Sequence, residues 1–304
     1  MRHVSKPPAP RRLFTFGLGY SALALARRLK AKGWRVAGTC RTEERRATLA
    51  AEGIAAFLFD GSQPMPEAAA ALAGTTHLLQ SVPPGAGTER EGGDPVLRHH
   101  AADIAALEGL RWVGYLSTTG VYGDRGGDWV DEKSGLHPTG PRGRARVEAE
   151  QAWLDLGRFG LAVHVFRLAG IYGPGRSALD TVREGRARRV VKPGQVFSRI
   201  HVDDIAQVLE ASIARPNPGA VYNVCDDDAA PPQDVITFAC ALLGVEPPPE
   251  VPYAEAAPGL SAMARSFYAD SKRVANHRIK TELGVKLVYP DYRAGLKALL
   301  AAGK

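Results

Sequence analysis

The chain has 304 residues, enough for one large domain or two modest ones with a sizeable buried core. Hydrophobic residues make up 45% of it and charged residues 23%, and apolar runs such as residues 55–59 are far too short to cross a bilayer. These numbers exclude a miniprotein and a membrane-spanning protein, and they predict an ordinary water-soluble globule.

The formal net charge of +7 is concentrated in two segments. Residues 1–12 carry four basic residues and no acid, and residues 183–192 carry five bases and one acid, so the rest of the chain is close to neutral. We therefore expect no nucleic-acid partner, and we interpret residues 1–12 as a solvated, disordered tail. No apolar stretch that could act as a signal peptide follows this tail, which predicts a cytoplasmic protein.

The cysteines and histidines give no sign of a disulfide framework or a metal site. Cys40, Cys225 and Cys240 are odd in number and have no CxxC spacing, so we expect buried, reduced thiols. The pair at 99–100 and the acids at 226–228 have no partners at a metal-ligand spacing.

From Leu13 onward, short β-rich runs alternate with helical stretches. The predicted strands are 13–17, 34–40, 54–60, 77–82, 111–118 and 161–168, and the predicted helices between them are 21–33, 42–53, 94–109 and 141–157. Strands separated by helices should be parallel, with right-handed crossovers. The pattern predicts an α/β fold with about six strands in one doubly wound parallel sheet.

After residue 168 the pattern loosens into loops rich in glycine and proline. A helix at 202–214, a strand at 220–224, a helix near 233–243 and a last helix from Pro290 to Leu300 are predicted there. We expect a nucleotide-binding unit formed by residues 13–168 and 200–225. Residues 169–199 and 226–304 would form a smaller, interleaved substrate lobe.

A GxGxxG/A pattern at residues 17–22 follows the first predicted strand and opens the first helix, which is the context that dinucleotide binding requires. Gly17 would make the tight turn, Gly19 would let the backbone approach a pyrophosphate, and Ala22 would allow close packing. The pattern also gives Leu18, Tyr20 and Ser21 as cofactor-binding residues. The alternative is a purely structural turn.

The second strand ends in Thr39-Cys40-Arg41, where NAD-binding proteins usually place an acid. Arg41, with Arg45 or Arg46 one turn later, is better suited to a 2′-phosphate, so we expect NADP rather than NAD. The alternative is that these arginines only solvate a helix start.

The third and fourth strands end at the edge where open α/β sheets bind ligands. Their terminal residues are further candidates for cofactor contacts: Asp60, Gly61, Ser81, Val82 and Pro83. Asp60 could accept a hydrogen bond from the adenine amino group, or it could cap the segment that follows.

Five motifs together resemble the short-chain dehydrogenase/reductase superfamily, in its extended branch of NAD(P)-dependent epimerases and dehydratases. They are GLGYSA (17–22), LSTTGVYG (116–123), FRLAGIYGPG (166–175), RIHVDDIA (199–206) and YNVCDD (222–227). The resemblance covers nearly the whole chain and implies a Rossmann sheet with a C-terminal substrate lobe. It also implies that His201 and the acids at 203–204 open a helix, with an aspartate as its cap, instead of binding a metal.

The resemblance places the family's catalytic hydroxyl on Thr118, with Ser117 supporting the nicotinamide, but this chain departs from the family at the next helix. Arg142 stands where the family has a catalytic tyrosine, and Arg146 stands where it has a lysine. Arg146 could still bind ribose hydroxyls, whereas a guanidinium cannot replace a phenol as an acid. A substitute acid would have to come from elsewhere, with Tyr122 and Tyr172 nearest in sequence, although packing is their more ordinary role.

Arginines on the expected substrate lobe point to an anionic or nucleotide-sugar-like substrate, with Tyr172, Arg176 and Arg199 as binding candidates. Solvated surface arginines are the alternative. The leading function is an NADP-dependent, epimerase/dehydratase-like oxidoreductase. The competing function is a non-enzymatic NADP-binding sensor or regulator, similar to the nitrogen-metabolite-repressor type, which the missing tyrosine favours. The sequence leaves open whether the chain forms a homodimer.

Overall fold

The structure is a computed structural model, and it describes residues 11–85 and 93–304. Residues 1–10 of the predicted tail lie outside the described part. Arg12, the last residue of that tail, differs from the prediction because it is buried in the first strand. Its guanidinium donates to the carbonyl oxygens of Ala71 and Ala73, which lie at the end of a short helix and need hydrogen-bond donors.

The strands of the described residues are numbered in chain order. They are β1 (Arg12–Phe16), β2 (Arg35–Cys40), β3 (Ala55–Leu58), β4 (His77–Gln80), β5 (Trp112–Thr118), β6 (Trp129–Val130), β7 (Val163–Leu168), β8 (Gly170–Tyr172), β9 (Arg189–Val191), β10 (Arg199–His201), β11 (Val221–Val224), β12 (Glu250–Pro252) and β13 (Arg273–Val274).

The α-helices of the same residues are α1 (Tyr20–Ala31), α2 (Glu43–Ala51), α3 (Ala68–Leu72), α4 (Pro95–Ala105), α5 (Pro141–Asp155), α6 (Ala178–Arg183), α7 (Val202–Ala214), α8 (Pro232–Leu243), α9 (Tyr253–Ala256), α10 (Ala262–Ala269), α11 (His277–Thr281) and α12 (Tyr292–Ala301). Within the described ranges, no helix combines the length and the apolar character needed to span a membrane.

The central sheet confirms the predicted doubly wound α/β fold. In the described chain it has seven parallel strands in the order β3-β2-β1-β4-β5-β7-β11. The seventh strand is β11, which pairs with β7 and so extends the six-stranded sheet expected from the sequence. The sheet places the carboxyl ends of its parallel strands at one edge, where ligands bind in such folds.

Side-chain alternation along the strands builds a core on each face of the sheet. Leu13 of β1 packs on one face with residues of α1 and α7, while Phe14 and Phe16 pack on the other with residues of α4 and α5. Helices therefore cover both faces, which is why the strands are apolar almost without interruption.

A smaller apolar cluster lies outside the sheet and joins α6, α8 and α12 through Leu179, Ala239 and Leu296. Three two-stranded pairs, β8 with β10, β9 with β12, and β6 with β13, accompany it. The β6–β13 pair ties the loop after β5 to the C-terminal part of the chain. The division of the chain into a nucleotide unit and a substrate lobe at the predicted boundaries stays a proposal.

Candidate active site

The turn between β1 and α1 has the geometry that the glycine pattern predicts. Gly17 has a φ of +81°, and a Cβ there would lie 3.1 Å from the side chain of Val82. Its N–H donates to Thr39 Oγ1 at 2.8 Å, which fixes the turn against β2. A Cβ on Gly19 would meet nothing within 4 Å, and no side chain caps the first turn of α1. The backbone N–H groups of that turn therefore face open space and suit a phosphate.

A cavity of about 870 Å³ runs from this turn along the carboxyl edge of the sheet. Arg41 and Arg45, at the end of β2 and the start of α2, both line it. Thr42 caps α2 by accepting a hydrogen bond from the Arg45 N–H at 3.2 Å. Arg46, the other alternative, instead pairs with Glu43 at 2.7 Å and does not line the cavity. Arg98 of α4 also lines this cavity, and the sequence did not predict it.

Asp60 lies on the same cavity wall, but its carboxylate is engaged locally. Oδ1 accepts hydrogen bonds from the N–H and the hydroxyl of Ser62, at 2.8 and 2.6 Å, and these bonds lower the pKa of Asp60. This is the capping role that the sequence left open. The adenine contact therefore stays a prediction. Gly61, Val82 and Pro83 also line the cavity, as does Leu18.

Ser81, which follows β4, lies on the walls of this cavity and of a second one of about 540 Å³. Ser21, Ser117 and Thr118 line the second cavity. The Thr118 hydroxyl ends β5 and accepts the N–H of Gly120 at 3.1 Å, while the Ser117 hydroxyl donates to the buried Glu150. The two cavities together form one cleft from the glycine turn to the end of β5.

Two of the arginines of α5, Arg142 and Arg146, have different positions. Arg146 lines the second cavity, and its Nη1 donates to the Leu116 carbonyl at 2.7 Å and to the Tyr115 hydroxyl at 3.1 Å. Arg142 lies in the first turn of α5, is exposed, and lines neither cavity of the cleft. The structure therefore places Arg146 on the wall of the cleft and Arg142 outside it, and a catalytic role for either stays a prediction.

Tyr122 is buried and lines neither cavity of the cleft. Its hydroxyl donates to Asn223 Oδ1 at 2.7 Å and accepts from Arg167 at 2.9 Å. Burial raises the pKa of Tyr122 to about 12. Arg167 in turn pairs with Glu150 at 2.7 Å, so Tyr122 belongs to a buried polar network behind β5 and not to the reacting site.

The substrate candidates surround the far end of the second cavity. Tyr172, Arg176 and Arg199 all line it, and all three also line a neighbouring cavity of about 550 Å³. The Tyr172 hydroxyl donates to the Asp291 carbonyl at 3.3 Å, and burial raises its pKa, so this phenol is a poor acid. Arg199 donates to the carbonyls of Phe197 and Ala230 at 2.8 and 3.0 Å.

Tyr20 does not line the two cavities of the cleft. Its hydroxyl donates to the Pro174 carbonyl at 3.0 Å, and the Arg176 guanidinium lies 5.8 Å from its ring centre. The Tyr20 side chain therefore joins α1 to the loop after β8, and the predicted cofactor contact is left to its backbone N–H in the first turn of α1.

His201 and its acidic neighbours open α7, as the resemblance implies. The cap is His201 itself, whose Nδ1 accepts the Asp203 N–H at 3.2 Å, and not an aspartate. Asp204 is buried and accepts the N–H groups of Val288 and Tyr289 at 2.8 and 3.0 Å. Among the described residues no cluster of histidine, cysteine or carboxylate side chains could hold a metal ion. The three cysteines are buried and unpaired.

Besides Arg98, the sequence did not indicate Lys272 in the site or Glu150 behind it, because their partners are distant in sequence. Lys272 lines the second cavity from the C-terminal part of the chain and donates to the Gly123 carbonyl at 2.8 Å. Glu150 looked like one more acid of a polar helix, yet only 2% of its surface is exposed. No periodicity in the sequence indicates either contact, since each depends on how loops and helices dock.

The whole cleft fits a dinucleotide. It offers uncapped N–H groups at a helix start, guanidinium groups at one end, and hydroxyl, guanidinium and ammonium groups at the other. Positive charge at one end suits a phosphate, and hydrogen-bond donors at the other suit an oxygen that gains charge during a reaction.

Comparison with known proteins identifies relatives of this chain. A curated relative, Protein YeeZ of Escherichia coli K12, is 29% identical over 90% of this chain and 95% of its own. A solved structure of a functionally unknown conserved protein from Silicibacter pomeroyi DSS is 54% identical, with a TM-score of 0.87 over 96% of this chain and 99% of that one.

A dTDP-glucose 4,6-dehydratase from Streptomyces venezuelae, solved with NAD and TYD bound, shares the fold. Its TM-score is 0.76 at 17% identity, over 96% of each chain. The model of the NAD dependent epimerase/dehydratase family matches residues 17–225, which include the glycine turn, β5 and α5. The chain therefore belongs to the NAD dependent epimerase/dehydratase family.

Proposed function

We propose that the protein is an NADP(H)-dependent oxidoreductase that acts on a small anionic or nucleotide-sugar-like carbonyl or alcohol substrate. The observation that carries this proposal is the continuous cleft joined at Ser81. One of its ends has guanidinium groups and the other has the Thr118 hydroxyl with further cations.

The choice of NADP rests on the end of β2. Arg41 and Arg45 line the cavity there, and Arg98 reaches the same wall from α4. Guanidinium groups bind a 2′-phosphate through paired, charge-assisted hydrogen bonds, whereas two ribose hydroxyls are better held by a carboxylate. NAD is therefore the weaker ligand in this account.

At the other end, the bound nicotinamide would supply or accept hydride, and the chain's own residues would bind and orient the substrate. The Thr118 hydroxyl can donate to a substrate oxygen, and Arg146 can hold ribose hydroxyls while adding positive charge. Arg176 and Arg199 face the same cavity and would bind an anionic group on the substrate.

A thermal-shift screen with NADPH tests the proposal. NADPH alone should raise the melting temperature, and a substrate should raise it further, because stabilisation follows ligand concentration over Kd. The panel would contain nucleotide-sugars and small anionic ketones, followed by measurement of NADPH oxidation. Absence of any NADPH-dependent shift would reject the proposal.

A non-enzymatic NADP-binding sensor is the second candidate, and one observation favours it. Arg142 replaces the family's catalytic tyrosine and is turned to solvent, so α5 brings no phenol into the cleft. Strong NADPH binding without turnover of any panel compound would support the sensor. Cytoplasmic location stays a prediction from the sequence, and the oligomeric state stays open.

A further inference from the structure

We propose that Lys272 is the proton donor of this site and takes the place of the absent phenol. The inference rests on the proposed oxidoreductase function. It is carried by the position of Lys272 on the wall of the cavity that Thr118 and Arg146 also line.

The segment that carries Lys272 is fixed to the loop after β5. The N–H groups of Arg125 and Gly127 both donate to the Ser271 carbonyl at 3.0 Å, and the Ser271 N–H donates to Asp124 Oδ1 at 2.7 Å. The β6–β13 pairing continues this contact. Lys272 therefore has a defined position relative to Thr118, which ends β5 five residues before Gly123.

The surroundings of the ammonium group leave it able to act on a bound molecule. Only 11% of the Lys272 side chain is exposed, and its Nζ donates to the Gly123 carbonyl at 2.8 Å and to Asp270 Oδ2 at 3.3 Å. An ammonium group has three N–H donors. Two are used by these contacts with described residues, so one is left for a ligand oxygen.

The charges around Lys272 are mixed. Burial lowers its pKa, Asp270 and Asp124 act in the opposite direction, and Arg125 adds to the lowering. Arg146 and Arg199 lie on the same cavity wall. A lysine with a lowered pKa releases its proton more readily than an ordinary lysine, which favours a role as a general acid.

The other polar groups on the described wall of this cavity are weaker candidates. Guanidinium groups do not release a proton near neutral pH, and the Tyr172 hydroxyl is engaged with a backbone carbonyl and has a raised pKa. Asp270 is paired with Lys272 and accepts the Thr139 hydroxyl at 2.8 Å. Serine and threonine hydroxyls are very weak acids. Lys272 is therefore the best-placed proton source on that wall.

A substrate carbonyl carbon accepts hydride from the reduced dinucleotide, and the C=O π electron pair moves to the oxygen. That oxygen takes a proton from Lys272 Nζ, so an O–H bond forms as an N–H bond breaks. The neutral amine then regains a proton from water.

The test compares Lys272→Met and Lys272→Arg with Lys192→Met as the control. Lys192 also donates from Nζ to a backbone carbonyl, that of Tyr268, but it does not line the cavity. Arginine keeps the charge and cannot give up the proton. We expect all three variants to bind NADPH within about twofold of the parent by calorimetry, because Lys272 holds the substrate end. A parent that binds no NADPH would reject the proposed function instead.

The first readout needs no turnover. Lysines of the parent are acetylated with acetic anhydride over a range of pH and quantified by mass spectrometry. We expect bound NADPH to shield the wall of the cavity, so acetylation of Lys272 should slow while that of Lys192 stays unchanged. The apparent pKa of Lys272 should lie below the ordinary value of a lysine. Acetylation of Lys272 that is insensitive to NADPH would overturn the proposal.

The second readout is reduction of small anionic ketones, with dihydroxyacetone phosphate as the first probe. Both Lys272 variants should lose about 10²–10⁴-fold in rate, the contribution typical of a general acid, while Lys192→Met keeps the parent rate. The parent rate should fall as pH rises through the pKa found by acetylation. A Lys272→Arg variant with the parent rate would contradict proton donation. If the parent reduces no ketone, the effect of NADPH on acetylation of Lys272 decides whether the proposal is kept or rejected.

Discussion

Burial beside the cleft changes the titration of Asp226. It is 3% exposed, and its Oδ2 has no hydrogen-bond partner among the described residues. Burial raises the pKa of Asp226 to about 8 in spite of the nearby Arg199. The folded protein therefore holds a proton that the unfolded chain has already released between about pH 4 and pH 8.

This raised pKa gives a stability prediction. The folded state binds more protons in that window, so the free energy of unfolding should fall as pH rises, by up to about 1.4 kcal/mol per pH unit from this group. Asp226→Asn removes the titration and should flatten the dependence. Urea unfolding of both proteins at several pH values between about 5 and 8 measures it. If the free energy of unfolding of the two proteins changed with pH in parallel, Asp226 would be ionised in the folded protein.

Tyr122 gives a second prediction at this scale, because its hydroxyl joins Asn223 to Arg167 inside the protein. Tyr122→Phe leaves both partners with an unmet hydrogen bond, so we expect a loss of about 1–3 kcal/mol in the free energy of unfolding. NADPH affinity should not change. Chemical denaturation and calorimetry check the two expectations. A variant of unchanged stability that lost all turnover would restore Tyr122 as a catalytic candidate.

At the element scale, α5 is held against the sheet by one buried ion pair. Glu150 accepts from Arg167 of β7 and from the Ser117 hydroxyl of β5, while Glu148 on the same helix is exposed. Glu150→Gln should lower the free energy of unfolding by about 3–5 kcal/mol, because it leaves a buried guanidinium without its counter-charge. Glu148→Gln is the matched control and should change it by less than about 0.5 kcal/mol. If urea unfolding gave the same change in free energy for both substitutions, the Glu150–Arg167 pair would not hold α5 against the sheet.

The sequence predicted the elements of the central sheet well, because alternating strands and helices have strong local patterns. The glycine turn and the end of β2 were also predictable, since both lie within one βαβ unit. The sequence did not predict β6 and β13. Each has only two residues, and they pair across more than a hundred positions of the chain. Lys272 depends on that pairing, so the substrate end of the cleft was the least predictable part.

For the whole molecule, the cleft connects elements from both ends of the chain. The glycine turn and Arg41 come from the β1–α1–β2 region. Thr118 and Arg146 come from the middle of the chain, and Lys272 comes from its C-terminal part. The sheet brings the first two sets together at its carboxyl edge, and the β6–β13 pair adds the third. The cofactor end therefore forms from local units, whereas the reacting end requires the complete fold.

We expect this cleft to bind NADP through the arginines after β2, and calorimetry of NADPH and NADH binding measures that preference. NADPH should bind about ten- to a hundredfold more tightly, from about 1.5–3 kcal/mol of charge-assisted contact with the 2′-phosphate. Arg41→Ala and Arg45→Ala should each reduce that ratio, while Arg46→Ala should leave it unchanged. Equal affinities for the two dinucleotides in the parent, or a preference that survives both substitutions, would contradict the account.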